Sequence, residues 1–344
     1  MSSVRTAVPD SLVSIVLPVC DGEHFVGAAI ESALGQTHRN LEVIVVDDGS
    51  RDKTRSIVEE RAAQDSRVRI VSQSNLGVAA ARNRGIAEAR GEFIAPLDAD
   101  DLWDPTKVAR QLACMHEDTG LVYCWWVSID GDGAPLDTSP PWNFEGHCAD
   151  VLVEVNFTGN ASVPLYRRRA LEAAGGYDAS LRARGAEGCE DWDLALKVAE
   201  RSQVGLVPAV LVGYRRHAGS MSKRHQRMWH SHELMLRGTH ERRPGLRRAV
   251  MRQSRRQFSL YLAGSAFRAG AHAEAVGWGL RALGSTVTLR ALPYFLRVIA
   301  DARHRTKPAP HEVIGPGSYF GSWQLPQSLI PYDRFYSRRN SVRA

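Results

Sequence analysis

The sequence has few cysteines and no long apolar run. Its five cysteines (Cys20, Cys114, Cys124, Cys148 and Cys189) are scattered, odd in number and never spaced as CxxC. That argues against a disulfide framework and a structural zinc site, and leaves most of them as small buried hydrophobes. No stretch reaches about 18 uninterrupted apolar residues, so no membrane-spanning helix is expected. The nearest approach, residues 275–305, is broken by Arg281, Arg290 and Arg297. The start, "MSSVRTAVPDSLVSIVLPV", lacks a basic segment followed by a long apolar core, so it does not read as a secretory leader. The expected location is cytoplasmic, with room for peripheral contact at the inner face of a membrane. Also missing are GxGxxG and GxxxxGK[ST], which removes the two glycine cradles that commonly hold nucleotide phosphates.

What is present is an ordinary globular composition. The 344 residues are 44% hydrophobic and 24% charged, enough for one large domain with an appendage, or for two domains. The net charge of +6 is unevenly spread. The stretch from Lys223 to Arg256 is dense in Lys, Arg and His with few acids. It fits either a solvated helix face or an anionic partner such as a lipid headgroup.

The first hundred residues alternate in pattern. Apolar, β-branched runs at 12–19, 41–50, 68–74 and 92–98 are separated by helical spacing at 25–37, 54–64 and 77–90. This order predicts a largely parallel sheet flanked by helices. Ligands in such sheets bind at the carboxyl ends of the strands. Asp47, Asp48, Asp98, Asp100 and Asp101 all fall there. Beyond 105 the pattern loosens. Helices are expected at 107–118, 168–178 and 190–202, and strands at 120–130, 161–168 and 204–217. The short strand at 161–168 contains an edge-type proline, and 135–150 reads as a Pro- and Trp-bearing loop. Basic helices follow from about 223 to 305, and 306–344 reads as an extended tail.

Three carboxylates within "LDADD" (97–101) repel one another unless something positive joins them. A D-x-D at a strand end places Asp98 and Asp100 in reach of one divalent cation, Mn²⁺ or Mg²⁺. An EF-hand does not fit, since Leu102 and Trp103 occupy positions that need an oxygen ligand and a glycine. An aspartyl-phosphate enzyme would carry its D-x-D on the first strand rather than the fourth. In "VVDDGS" (45–50), a carboxylate at the strand end can accept N–H groups from a base edge. "GCEDWDLALK" (188–197) gathers Glu190, Asp191 and Asp193 at a helix start, as a plain acidic N-terminus or as a general base. His217 in "YRRHAGSMS" follows an apolar strand and can complete a mixed carboxylate–imidazole site.

Taken together, "VSIVLPVCDG", "ALGQTHRNLEVIVVDDGSRDKT", "NLGVAAARNRGIAEARGEFIAPLDADDLW", "GCEDWDL" and "YRRHAGSMS" resemble, in order and spacing, the metal-dependent inverting glycosyltransferases of family two. The resemblance covers residues 11–222. It implies a GT-A fold: a Rossmann-like, mostly parallel central sheet flanked by helices, here with a C-terminal helical extension. It implies a nucleotide-binding half at 11–105 and an acceptor-binding half at 106–222. The segment Leu17–Asp21, with Pro18, Val19 and Asp21, would line the nucleotide pocket. Asp48 would bind the base, and Asn75 and Arg82 would lie near nucleotide and sugar. Asp98 would contact ribose, sugar or metal, Asp100 would be the main metal ligand, and His217 would complete the metal or diphosphate contact. Asp191 would be the catalytic base with Glu190 beside it. Cys20 departs from the family's usual aromatic residue at its position. The implied partners are a nucleotide-diphosphate sugar, with a UDP-sugar favoured, and a glycan or lipid-linked acceptor in cell-surface polysaccharide or lipopolysaccharide assembly. No nucleic-acid partner is implied, and an oligomer is compatible with the sequence. Two other classes compete: a non-catalytic sugar-nucleotide binder on the same fold, and a receiver-like signalling module. The latter lacks its downstream lysine here.

Overall fold

The computed structural model describes residues 10–217 and 219–284. The expected tail at 306–344, the end of the basic helical region and the first nine residues lie outside the described part. The first hundred residues follow the sequence pattern closely. They run β1 (Val13–Val19), α1 (Val26–Leu34), β2 (Leu41–Asp47), α2 (Thr54–Gln64), β3 (Val68–Ser72), α3 (Val78–Glu88) and β4 (Phe93–Pro96). The strands lie parallel in the order β3-β2-β1-β4. Every residue of β1 and β4 is buried, as runs covered by helices on both faces should be. Gly85 lets α3 sit close, since a Cβ there would come 2.4 Å from Val16 Cγ1.

Because β1 lies between β2 and β4, the chain leaves it in opposite directions and a crevice opens at the carboxyl ends. The register sets Val19 beside Asp47 and Val16 beside Pro96. The segments that follow β1 and β4 therefore emerge side by side.

The second half is mixed. It comprises β5 (Leu102–Trp103), α4 (Lys107–Ala113), β6 (Thr119–Ile129), β7 (Pro135–Thr138), α5 (Ala149–Glu154), β8 (Leu165–Arg167), α6 (Arg168–Ala173), α7 (Glu190–Ala199) and β9 (Gln203–Arg215). The sheet continues β4-β8-β6-β9-β5, with β7 paired to β6. β8 is antiparallel to both neighbours, β6 and β9 are parallel, and β5 is antiparallel to β9. Two local expectations change. The span 135–150 is not all loop, since β7 forms a hairpin with β6 and α5 begins at Ala149. The strand after Pro164 is internal rather than at an edge, because the proline precedes the first paired residue and withholds no ladder N–H.

Three helices close the described structure: α8 (His225–Arg242), α9 (Arg248–Arg268) and α10 (His272–Gly284). Much of the basic stretch is spent on ion pairs with acids of the main body. Arg227 pairs with Glu187, Arg242 with Glu200, and Arg243 with Asp150. Arg237, Arg247, Arg248 and Arg252 remain exposed.

Candidate active site

The strand ends and the C-terminal helices enclose a cleft of about 1830 Å³. One side is formed by Pro18, Val19, Cys20, Asp21 and Phe25 from the segment after β1, with Arg82, Asp98 and Asp100. Asp21 adopts φ 53°, a left-handed conformation uncommon for a non-glycine residue. It is held there by two bonds to the loop after β2. Its N–H donates to Ser50 Oγ at 3.0 Å, and its carboxylate accepts from the Arg51 N–H at 2.7 Å.

The structure resolves the three carboxylates after β4 into three partnerships. Asp98 Oδ1 pairs with the Arg82 guanidinium at 2.6 Å. Asp100 Oδ2 meets His217 Nε2 at 2.9 Å. Asp101 is fully buried and accepts from the Arg215 N–H at 2.9 Å and from Ser162 Oγ at 2.6 Å. Burial, then Asp100 and Asp98, hold Asp101 well above the usual carboxylate range. It fastens the end of β9 to this segment, a role with no separate sequence signal. His217 is steadied by the Phe25 ring, 5.1 Å away, and Phe25 also lies under the Arg215 guanidinium at 4.8 Å.

Asp100 and His217 face the cleft with side chains 29% and 28% exposed. One carboxylate and one imidazole suit Mn²⁺ or Mg²⁺. Among the described residues no group of three or more metal-ligating side chains occurs. The donor set therefore fits a cation whose coordination is completed by substrate phosphate oxygens and water, not one caged by protein alone.

Glu190 and Asp191 are adjacent but differently placed. Gly188, at φ 115°, turns the chain into α7. Glu190 is buried, with one oxygen 3.1 Å from Arg82 and the other accepting the Gly188 N–H at 2.8 Å. Asp191 opens onto the cleft, and its hydrogen bond among the described residues comes from the Trp192 N–H at 2.7 Å. Burial and the neighbouring Glu190, opposed by Arg82, push the Asp191 pKa up to about 7. The helix N-terminus tolerates the anion. A carboxylate with such a pKa can accept a proton near neutral pH.

Arg82 is the buried bridge of the site, with its side chain 2% exposed. Burial works against its charge, but Asp98, Tyr177 and Glu190 outweigh it. It ties α3 and the end of β4 to the start of α7. Asp48 and Asn75 are not brought to the cleft wall. The Asp48 carboxylate accepts from Gln73 Nε2 and from the backbone N–H groups of Leu76 and Gly77, each at 2.8 Å. Asn75 donates to Cys20 Sγ and accepts from Arg182. Both shape the loop behind the pocket. The opposite wall was missed from sequence. It includes Trp126 and Trp142 from the β6–β7 region and one face of α9.

The curled mixed sheet, the crevice at its strand ends and the acidic cleft define an α/β protein of the GT-A type. The family model for glycosyl transferase family 2 matches residues 14–174. TuaG of Bacillus subtilis (strain 168), named for teichuronic acid biosynthesis, is 35% identical over 171 residues, 46% of this chain and 68% of TuaG. The chain belongs to glycosyl transferase family 2. EpsH of the same organism, named as a glycosyltransferase, is 32% identical over 222 residues, 62% of this chain. The match covers 64% of EpsH, so the chain spans less than two thirds of that relative's length. Two solved structures share the fold at low identity. The mannosyltransferase PcManGT from Pyrobaculum calidifontis, in complex with GDP-Man and Mn²⁺, is 19% identical with a TM-score of 0.57, covering 87% of this chain and 83% of that one. S. aureus TarS 1–349 in complex with UDP-GlcNAc is 16% identical with a TM-score of 0.55, covering 86% and 82%. No helix among the described residues is long and apolar enough to cross a membrane.

Proposed function

We propose that this chain is an inverting glycosyltransferase moving a sugar from a nucleotide-diphosphate donor to an acceptor hydroxyl. The observation that carries the reading is the division of labour in the cleft. Asp191 faces the cavity as a base, Asp100 and His217 face it as a ligand pair, and Asp98 and Glu190 are committed to Arg82. A single base suits a single displacement, which inverts the anomeric carbon. A second catalytic carboxylate, as in a retaining hydrolase, is not needed when the leaving group is already an activated phosphate ester.

The residues divide the work as follows. Asp191 takes the proton of the acceptor hydroxyl as that oxygen attacks. Asp100 and His217 would hold the divalent cation, which supplies positive charge against the leaving diphosphate when bound. Arg82 keeps Asp98 and Glu190 fixed, so that α7 presents Asp191 at a constant angle. The segment Pro18–Asp21 lines the nucleotide end. A UDP-sugar is the favoured donor by family resemblance, and the GDP-Man and UDP-GlcNAc complexes named above show that the fold accommodates either base. TuaG's naming supports a role in cell-surface polysaccharide assembly, on a glycan or lipid-linked acceptor. The exposed arginines around the α8–α9 turn support peripheral contact with anionic membrane. Co-sedimentation with phosphatidylglycerol vesicles, lost at high salt, checks that contact.

Calorimetric titration of UDP, GDP, dTDP and CDP, with and without Mn²⁺, tests the donor reading. One nucleotide is expected to bind in a metal-dependent way, and Asp100→Ala to lose that binding. A wild-type protein that binds none of them would overturn the proposal.

A further inference from the structure

The cleft is larger than one substrate needs. At about 1830 Å³ it exceeds the roughly 300–1,000 Å³ that holds a single small ligand. The donor end is built from strand termini, whereas the far end is walled by α9. Gln257, Tyr261, Gly264 and Arg268 line it at spacings of four, three and four, which is one face of a helix.

Tyr261 stands out on that face. It is a large aromatic residue left 42% exposed, yet its ring is not loose. It stacks on Phe258 with centroids 5.7 Å apart and planes 18° apart. Phe258 stacks in turn on His232 at 4.4 Å and 18°, and touches the Trp192 ring at 5.8 Å. His232 is fully buried, and burial together with Arg255 pulls its pKa down to about 3, so the stack is uncharged at its base. Trp192 directly follows Asp191. The platform is therefore anchored on the helix turn that presents the base. Tyr261 lines the same cleft as Asp191, Arg216 and Arg268.

A rigid aromatic face rimmed by hydrogen-bonding side chains matches the two-sided chemistry of a pyranose. The C–H face of the sugar covers the ring, while its hydroxyls reach Gln257, Asn156 and the arginines. A purely apolar chain would leave that polar rim unmatched. We infer that Tyr261 is the acceptor platform: a sugar ring of the acceptor lies on its open face and turns a hydroxyl toward Asp191. This rests on the glycosyl-transfer reading above, and it adds the acceptor's recognition element.

Saturation-transfer NMR tests it with methyl β-glucoside, methyl β-galactoside and methyl N-acetyl-β-glucosaminide, and with N-acetylglucosamine linked to farnesyl diphosphate. Each probe is scored with and without UDP and Mn²⁺. At least one is expected to bind wild type, about ten-fold more weakly in Tyr261→Ala, and at wild-type strength in Tyr261→Phe and Tyr261→Trp. Gly264→Leu, which fills the floor beside the ring, is expected to block the same probe. Binding confined to the farnesyl conjugate identifies a lipid-linked sugar, and binding of the free glycosides a glycan. The proposal is overturned if no probe binds wild type, if Tyr261→Ala binds as wild type does, or if Tyr261→Phe loses as much as Tyr261→Ala. UDP affinity is read separately. Its absence would sink the transfer reading, while the sugar arm still stands or falls on its own.

Discussion

Residues 13–96 and residues 102–215 build one sheet by opposite means. In the first stretch strands and helices alternate in order and every strand runs the same way. In the second, Leu102 pairs with Gly213 across more than a hundred residues, and three-residue β8 is wedged between β4 and β6. The first half positions Asp98 and Asp100 at strand ends. The second positions Asp191, His217 and the far wall through long-range contacts. A site assembled from both depends on the bonds that join them.

Arg82 is the most direct of those bonds, and its removal carries the largest expected effect. Arg82→Met leaves Asp98 and Glu190 without their shared cation in a buried setting, so it should cost about 3–5 kcal/mol in urea unfolding. A cost near zero would show that the halves are held by packing alone. Asp191→Asn should next remove at least about 3 kcal/mol of transition-state stabilisation, a loss of more than a hundred-fold in kcat, while nucleotide binding survives. In wild type, kcat should rise with pH up to about 7 and then level, because the base must be deprotonated and its pKa is raised to about 7.

The next effect probes the first half alone. Gly85→Ala forces a methyl against Val16 and should destabilise by about 1–3 kcal/mol in the same unfolding assay, with kcat of the folded protein kept. The smallest belongs to Asp191 again. Its raised pKa means the folded state resists ionisation, so stability is lost as pH rises from the unfolded value toward about 7. Asp191→Asn removes that cost. It should raise Tm at pH 8, with the gain shrinking as pH falls toward 4.

The same division explains what was legible. Strands β1 to β4 announced themselves through β-branched runs and acids at their ends, and the cleft acids Asp98, Asp100 and Asp191, with His217, came from motifs. Asp48 was read by its place at a strand end. Its oxygens accept three N–H groups from the loop after β3, which no spacing rule reports. Arg82 is placed near nucleotide and sugar by the family resemblance and does line the cleft; that it is also a buried brace between Asp98 and Glu190 has no sequence signal. β7 was hidden by its Pro135 and by the turn residues before it, since a four-residue hairpin strand has too short an alternation to register. Tyr261 lies in an Arg-rich helix whose inward face is set by packing on α5, α8 and α10.

The short run from Asp98 to Asp101 has a consequence for synthesis. Its three carboxylates find partners at Arg82, His217 and the Ser162–Arg215 pair. A chain leaving the ribosome amino end first can close β1 to β4 and the Arg82–Asp98 pair early. Asp100 must wait for His217, 117 positions later, an interval on the order of ten seconds at roughly 5–20 residues per second. Through that interval the Asp100–His217 pair is half made. On the reading proposed above, a chain that ends before His217 should not capture the metal–diphosphate, so that ligand cannot assist folding until most of the main body has been made.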